Sequence, residues 1–385
     1  MKPYIPFELP LDKRLIDKEA LFEPAIQANS KLTSYSEKIN NSKVDSNLLV
    51  GLLSTKEALE SSKIEGTQAT MDDMFESKID ENKANNDTRE ILNYLHALEA
   101  GAYELNRLPI STRLIKKLHG ILMSNGVRGA SKAPGEFRSI QNFVGRNGCT
   151  LETATYVPPE PQLLDKYLSN LEKFINEDDN WNVLIKIAII HSQFETIHPF
   201  LDGNGRIGRI LIPLYLYNEK KTSRPMFFVS ESLERDKFKY YQLLNNTRVL
   251  VKGLNAPLDE DQEDIDSEKL ELARKNYTEW IKFFLKACEI ECDKGIEKIN
   301  AIDKLYDVTL TIAKTLVSNN KIVDIVDYMF ENPIFTTKSM RERLDIAPST
   351  LSNYLNKLVE AGVIYADDRA RNKKYFFYDL ISILR

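Results

Sequence analysis

His198-Pro199-Phe200-Leu201-Asp202-Gly203-Asn204-Gly205-Arg206-Ile207-Gly208-Arg209 is the stretch on which the reading of this chain turns. Residues 183–196 before it are apolar enough for a buried helix. Pro199 and the Asp-Gly-Asn-Gly run cannot continue that helix comfortably. The pattern predicts a helix ending near Thr196, a loop, and a new helix starting near Asn204 and running through Ile210, Leu211 and Ile212. Gly203 and Gly205 let the backbone approach a ligand closely, so successive N–H groups can point at one anion. The N-terminus of the new helix adds partial positive charge. Arg206 and Arg209, three apart, can face one side of its first turn. Two guanidinium groups and a backbone nest suit a polyphosphate. A lone carboxylate among them, Asp202, suits a Mg²⁺ that itself touches phosphate. His198 has a reference pKa of about 6.5 and can take a proton at neutral pH. Each residue alone has an ordinary use in a loop or on a solvated face. The fixed spacing of base, carboxylate, glycines and two arginines is what points to chemistry.

Working outward, apolar residues at helical spacing predict helices over 47–64, 88–105, 112–123 and 162–175. Residues 126–161 are rich in Gly, Pro, Asn and Ser. Within them, β-prone runs around Val144 and Tyr156 flank Arg146-Asn147-Gly148 and predict a hairpin with an Asn-Gly turn. An acidic run, 259–264, reads as a solvated loop or helix start. One or two long helices are expected over 269–317. From 320 the pattern changes: helix 322–330, helix 338–344, a turn, then a helix with Pro348 at its first position, stopped by Gly362. Two short strands, 363–365 and 375–378, complete a winged helix-turn-helix pattern.

The chain has 385 residues, 42% hydrophobic, with a formal net charge of −5. That length suggests two or three packed units. The expected divisions are 1–111, an N-terminal helical region; 112–255, the catalytic core; 256–318, an acidic linker with long helices; and 319–385, the winged helix. The net charge gives no support for bulk attraction to nucleic acid. No apolar run is long enough for a membrane span, and 1–6 lack the apolar stretch of a secretory signal. Cys149, Cys288 and Cys292 follow no framework spacing and read as free thiols in a reducing cytoplasm.

The central string resembles the Fic signature, His-x-Phe-x-(Asp/Glu)-Gly-Asn-Gly-Arg-x-x-Arg, with every specified position present. Gly135-Glu136-Phe137-Arg138 and Tyr156-Val157-Pro158-Pro159 resemble the flanks of the Fic flap. Residues 237–245, with Tyr240 and Tyr241, resemble the helix that borders the nucleotide base. The resemblance implies a mainly α fold: a Fic-type helical core with a β-hairpin flap, plus the C-terminal winged helix-turn-helix. It also implies transfer of AMP from ATP to a Ser, Thr or Tyr hydroxyl of a target protein. His198 would deprotonate that hydroxyl. Asp202 would hold Mg²⁺ between the α- and β-phosphates. Gly203, Asn204 and Gly205 would cradle the phosphates with help from Arg206, and Arg209 would grip the γ-phosphate. Phe200 would anchor the loop in the core, and Val144 in the flap would align the target.

Ser61-Ser62-Lys63-Ile64-Glu65-Gly66 resembles the Fic inhibitory motif, (Ser/Thr)-x-x-x-Glu-(Gly/Asn). By that resemblance Ser61, Glu65 and Gly66 form a brake in which Glu65 pairs with Arg209 and denies it to the γ-phosphate. Two other activities stay open at this level. One is AMP removal with Glu65 orienting water. The other is a nucleotide-sensing transcription regulator binding DNA through 319–385, although basic and acidic residues there are close to balanced. Self-modification and a homodimer are compatible with the sequence as well.

Overall fold

The computed structural model describes residues 2–79, 85–145, 148–256, 265–369 and 372–385. The acidic run 259–264 and the turn residues Arg146 and Asn147 lie outside the described residues.

In chain order the helices are α1 (Lys18–Asn40), α2 (Ser46–Ile64), α3 (Met71–Ile79), α4 (Asn86–Glu104), α5 (Thr112–Leu122), α6 (Leu164–Asn176), α7 (Val183–Ile197), α8 (Asn204–Asn218), α9 (Ser230–Arg235), α10 (Lys237–Asn246) and α11 (Ser267–Leu316). After α11 come α12 (Lys321–Glu331), β1 (Ile334–Thr336), α13 (Thr337–Arg341), α14 (Pro348–Glu360), β2 (Tyr365–Ala366), β3 (Lys374–Phe376) and α15 (Tyr378–Leu384). The mainly α fold expected from the sequence is what the chain adopts. The chain divides into two compact units, Met1–Ser34 with Asn93–Cys292, and Tyr35–Leu92 with Asp293–Arg385.

The first unit is built around α7. This helix is buried on every side, from Val183 to Ile197, which is why its sequence is apolar all round. Asn182 caps it by accepting from the Leu184 and Ile185 N–H groups. It packs between α6 and α8. Helix α6 turns Leu164, Tyr167, Leu168, Leu171 and Phe174 inward, a 3.6-residue stripe. Helix α5 does the same with Leu114, Ile115, Leu118, His119 and Leu122, and Ser111 caps it. The first half of α11 closes the unit with Trp280 and Phe284 buried. The Trp280 indole donates to the Ala188 carbonyl at 2.9 Å.

The second unit joins α2 and α3 to the C-terminal elements. Helix α2 packs on α12, α3 and α15, and α3 packs on β1. The strands form one antiparallel sheet in the order β1-β3-β2, with Ile334 and Tyr365 both opposite Phe376. The Lys56 ammonium donates to the Arg385 carbonyl at 2.9 Å. Lys374 pairs with Glu76 at 2.6 Å.

Two local expectations need correction, and one strand was not foreseen. Among the described residues the predicted hairpin shows a single bridge, Val144 to Tyr156, rather than two strands. Val363 and Ile364 are buried ahead of a strand that starts only at Tyr365. The sheet also has an edge strand, β1, whose three residues carry no alternation to announce it; all three are buried. Cys288 and Cys292 are buried free thiols, and burial raises the Cys288 thiol. No group of three or more His, Cys, Asp or Glu that could hold a metal occurs among the described residues.

Candidate active site

The loop between α7 and α8 carries the decisive string. Helix α7 ends at Ile197, and His198 caps it with φ of 48°. That left-handed conformation is uncommon outside glycine. It turns the chain out of the helix at the residue expected to act as a base, with the side chain 20% exposed. The Nδ1 edge of His198 faces Glu195, one turn back, at 4.0 Å. Gly203 supplies the second left-handed turn, φ 78°, and α8 begins at Asn204.

Phe200 is fully buried. It stacks on His119 with ring centroids 3.7 Å apart and planes 5° apart, and Phe137 tilts against it at 5.2 Å. The Asn204 side chain closes the loop on itself. It accepts from the Phe200 N–H at 2.9 Å and donates to the Phe200 carbonyl at 2.9 Å. Its amide therefore holds the turn. Asn142 donates to the same carbonyl at 3.0 Å.

Asp202 points to the lip of the loop. One oxygen accepts from the Gly203 N–H at 2.7 Å, the other from the Lys132 ammonium at 2.9 Å. Burial pushes its carboxyl up, but Lys132, the Gly203 N–H and Arg206 outweigh that and hold it below the ordinary value. Gly129 lies so close that a Cβ there would sit 2.7 Å from the Asp202 carboxylate. Arg206 and Arg209 are both buried in the first two turns of α8. An Arg206 nitrogen stands 4.0 Å from Asp202 and 3.6 Å from the Met123 sulfur. Gly205 is half-buried beside them.

The structure thus brings His198, Phe200, Asp202, Gly203, Asn204, Gly205, Arg206 and Arg209 into one loop and helix start. Tyr240 lies behind this helix. Its hydroxyl meets His191 Nε2 at 2.9 Å, and His191 Nδ1 meets the Gly208 carbonyl at 3.2 Å. The Tyr240 ring is buried, whereas neighbouring Tyr241 is 42% exposed. Val144 is bridged to Tyr156, whose hydroxyl donates to the Thr196 carbonyl in the last turn of α7 at 2.6 Å. Ser61, Glu65 and Gly66 belong to the second unit. Ser61 is buried, Glu65 is the C-cap of α2, and Gly66 follows with φ of 95°.

Sequence reasoning missed His119, Lys132, Glu195 and the role of Gly208. A Cβ on Gly208 would lie 2.5 Å from Glu195 Oε1 and 3.3 Å from His191, so this glycine lets α7 and α8 approach. Its place inside the Arg206-x-x-Arg209 spacing was the available signal. His119 gave none, since a histidine on an apolar helical face reads as core.

The profile of the Fic/DOC family matches residues 109–216, and that of the Fic/DOC N-terminal region matches 22–103. The first match spans α5 to α8 and so contains the whole loop. The chain carries a Fic/DOC domain. Among similar proteins, a probable protein adenylyltransferase of Aquifex aeolicus (strain VF5) is 39% identical over 59 residues, 15% of this chain and 18% of that one. The protein adenylyltransferase Fic of Drosophila grimshawi is 36% identical over 81 residues, 20% of this chain and 15% of that one. The chain therefore matches less than a fifth of the length of either relative. A crystal structure of a Fic family protein from Desulfovibrio desulfuricans G20 shares the fold across 98% of both chains, with TM-score 0.55 and 16% identity. A Fic domain containing signaling protein from Bacteroides thetaiotaomicron VPI-5482 matches 72% of this chain and 97% of its own, with TM-score 0.52 and 18% identity.

Proposed function

We propose that the chain is a protein adenylyltransferase that moves AMP from ATP to a hydroxyl side chain of another protein. The observation that carries this reading is the loop itself: a partly exposed histidine, an ionised aspartate and a helix start with two arginines within twelve residues. In the proposed reaction His198 takes the proton of the target hydroxyl. The hydroxyl oxygen forms the new bond to the α-phosphorus as the bond to pyrophosphate breaks. Glu195, 4.0 Å from Nδ1, stabilises the imidazolium so formed. The backbone N–H groups at the start of α8 and the guanidinium groups of Arg206 and Arg209 balance the phosphate charge. Positioning and electrostatics can supply most of such a rate enhancement.

Asp202 fits a Mg²⁺ that takes its other ligands from phosphate and water, because it is a single ionised carboxylate on the lip of a cationic loop. When bound, that ion would neutralise phosphate charge. Tyr241, exposed on α10, suits the border of a nucleobase, and Tyr240 supports α8 through His191.

The brake belongs to the same proposal. Glu65 is a carboxylate at the C-terminal end of α2, where the helix dipole disfavours it by about 0.3–1 kcal/mol. A cationic partner offsets that cost. In this reading Glu65 competes with the γ-phosphate for Arg209. The C-terminal elements fit a winged helix in which exposed Ser349, Asn353 and Asn356 on α14 are the residues offered to a partner. The test is incubation of the purified chain, as wild type and as Glu65→Gly, with α-labelled ATP, Mg²⁺ and a cell extract. A labelled protein band that is missing with His198→Ala supports the reading; no labelled protein under any ATP or Mg²⁺ concentration contradicts it.

A further inference from the structure

The loop 198–203 has little regular structure, so something other than helix or sheet must hold its carbonyls. Asn142 holds the Phe200 carbonyl in the middle, and two further side chains from outside the signature hold the loop at its opposite ends.

At the His198 end the holder is Arg138. Its Nε donates to the His198 carbonyl at 2.9 Å. Its terminal nitrogens donate to Pro159 at 2.6 Å, and at 3.4 Å to Ile197 and Ile140. Its own backbone N–H donates to the Pro199 carbonyl at 2.9 Å. The side chain is only 3% exposed, and among the described residues no carboxylate pairs with it. A buried guanidinium satisfied by carbonyls alone is costly. Here its donors surround the one residue of the loop that adopts a left-handed conformation without being glycine, His198.

At the Asp202 end the holder is His119, which has no exposed surface. Its Nδ1 lies 2.8 Å from the Gly135 N–H. A backbone N–H can only donate, so Nδ1 is the acceptor and Nε2 carries the proton. Nε2 then donates to the Asp202 carbonyl at 3.0 Å. The same ring stacks on Phe200.

We propose that Arg138 and His119 are positioning residues with divided tasks: Arg138 fixes the base His198, and His119 fixes the end of the loop that faces nucleotide and metal. The proposal rests on the adenylyltransferase reading of the loop. It separates two kinetic quantities that a general loss of stability would move together. Misplacing a reacting group by about an ångström can cost on the order of 100-fold in rate. Arg138→Lys keeps the charge but not the fork of donors. It is expected to lower kcat at least tenfold and leave the dissociation constant for ATP with Mg²⁺ within about twofold. His119→Phe keeps the stack on Phe200 but removes both hydrogen bonds. It is expected to weaken ATP binding by about tenfold, one lost hydrogen bond to a site held for a charged ligand, with most of the saturated rate retained.

Binding is read by calorimetry on the full chain, the rate by label transfer, and the folded fraction by thermal melting of each variant. Nitrogen NMR of the imidazoles reads the Nε2–H tautomer of His119 directly. A split of the two parameters between the two variants supports the proposal. Parallel losses in rate and affinity for both variants, losses that follow only the folded fraction, or unchanged parameters overturn it. If the Glu65→Gly chain, freed of the proposed brake, binds ATP but transfers nothing, the adenylyltransferase reading fails instead. In that event unchanged ATP affinity in His119→Phe still overturns the His119 half.

Discussion

At the scale of single residues, the site depends on positions where one extra atom matters. Gly208 is the clearest. It lies between the two motif arginines, and its missing Cβ is what lets α8 lie against Glu195, His191 and Phe194 of α7. Gly208→Ala inserts a methyl group 2.5 Å from the Glu195 carboxylate. Overpacking of this kind costs roughly 1–3 kcal/mol. The expected outcome is a lower denaturant midpoint with an unchanged m-value, together with a loss of transfer as Glu195 is pushed from its place beside His198. A Gly208→Ala protein as stable and as active as wild type means the two helices have slack that the structure does not show. Most of the site was legible at this scale, because base, carboxylate, glycines and arginines lie within one string. His119 and Glu195 were not, and Arg138 showed only as a flank of the flap. They reach the loop from α5, from the segment before the flap and from one turn earlier in α7, and their partners are backbone carbonyls or the site histidine. Asn204 was half-legible: its place in the turn was foreseen, but its side chain serves Phe200 rather than a phosphate.

Elements set the next level. Helix α5 and helix α7 each bury a histidine, and the two share a pH dependence. Burial chiefly pushes His119 down to about 4 and His191 down to about 3. Arg206 and Arg209, respectively, act in the same direction, and the Asp202 and Gly208 carbonyls oppose them. An unfolded histidine titrates at about 6.5. Below that value the unfolded chain binds more protons than the folded one. Stability is therefore full above about pH 6.5 and falls as the pH drops through 5 toward the two folded values. Thermal melts from pH 7.5 to 4.5 should show a flat Tm at the upper end and a steady decline below about 6.5; a Tm constant down to 4.5 speaks against buried neutral imidazoles.

The flap is the second element with a measurable consequence. Val144 uses both its N–H and its C=O on the Thr155 and Tyr156 side, so a target strand would have to pair through the neighbours Phe143 and Gly145. Val144→Pro deletes the 2.8 Å bond from its N–H to the Tyr156 carbonyl. Target modification should fall at least tenfold, as for a misplaced reactant, while calorimetric ATP affinity holds. Equal loss of both would assign the flap to the nucleotide instead. Helices α5 and α6 were visible from period, α7 from its apolar run, α8 from the Asp-Gly-Asn-Gly break before it, and α11 was foreseen as one or two long helices. The flap was read as a fuller hairpin than the described residues show, because Asn-Gly marks a turn without fixing how many residues pair around it. Strand β1 escaped notice since three buried residues carry no period.

At the scale of the whole chain, the fold is a Fic/DOC architecture in which the loop belongs to one unit and α2, with Glu65 at its end, to the other. The mainly α class followed from helical periodicity over most of the length. The association of α2 and α3 with α12, α15 and β1 did not, because contacts between segments some 250 residues apart leave no local pattern. If Glu65 restrains Arg209, Glu65→Gly frees a guanidinium for the γ-phosphate, and near-attack positioning is worth orders of magnitude in rate. AMP transfer by Glu65→Gly, self-modification included, should exceed the wild-type level by at least tenfold, on the scale of a gained charge-assisted contact. The gain should vanish when His198→Ala is added. A Glu65→Gly protein that transfers no faster than wild type, but has lost the ability to remove AMP from a modified protein, would place Glu65 in hydrolysis rather than inhibition.

The central claim is that this loop joins the α-phosphate of ATP to a protein hydroxyl. The most direct measurement uses ATP labelled in parallel at the α- and the γ-phosphate, with Mg²⁺, the Glu65→Gly chain and a cell extract. The account predicts protein-bound label from α-labelled ATP, none from γ-labelled ATP, and neither when His198 is replaced by Ala. Label arriving from the γ-phosphate, or α-label that persists without His198, would contradict it.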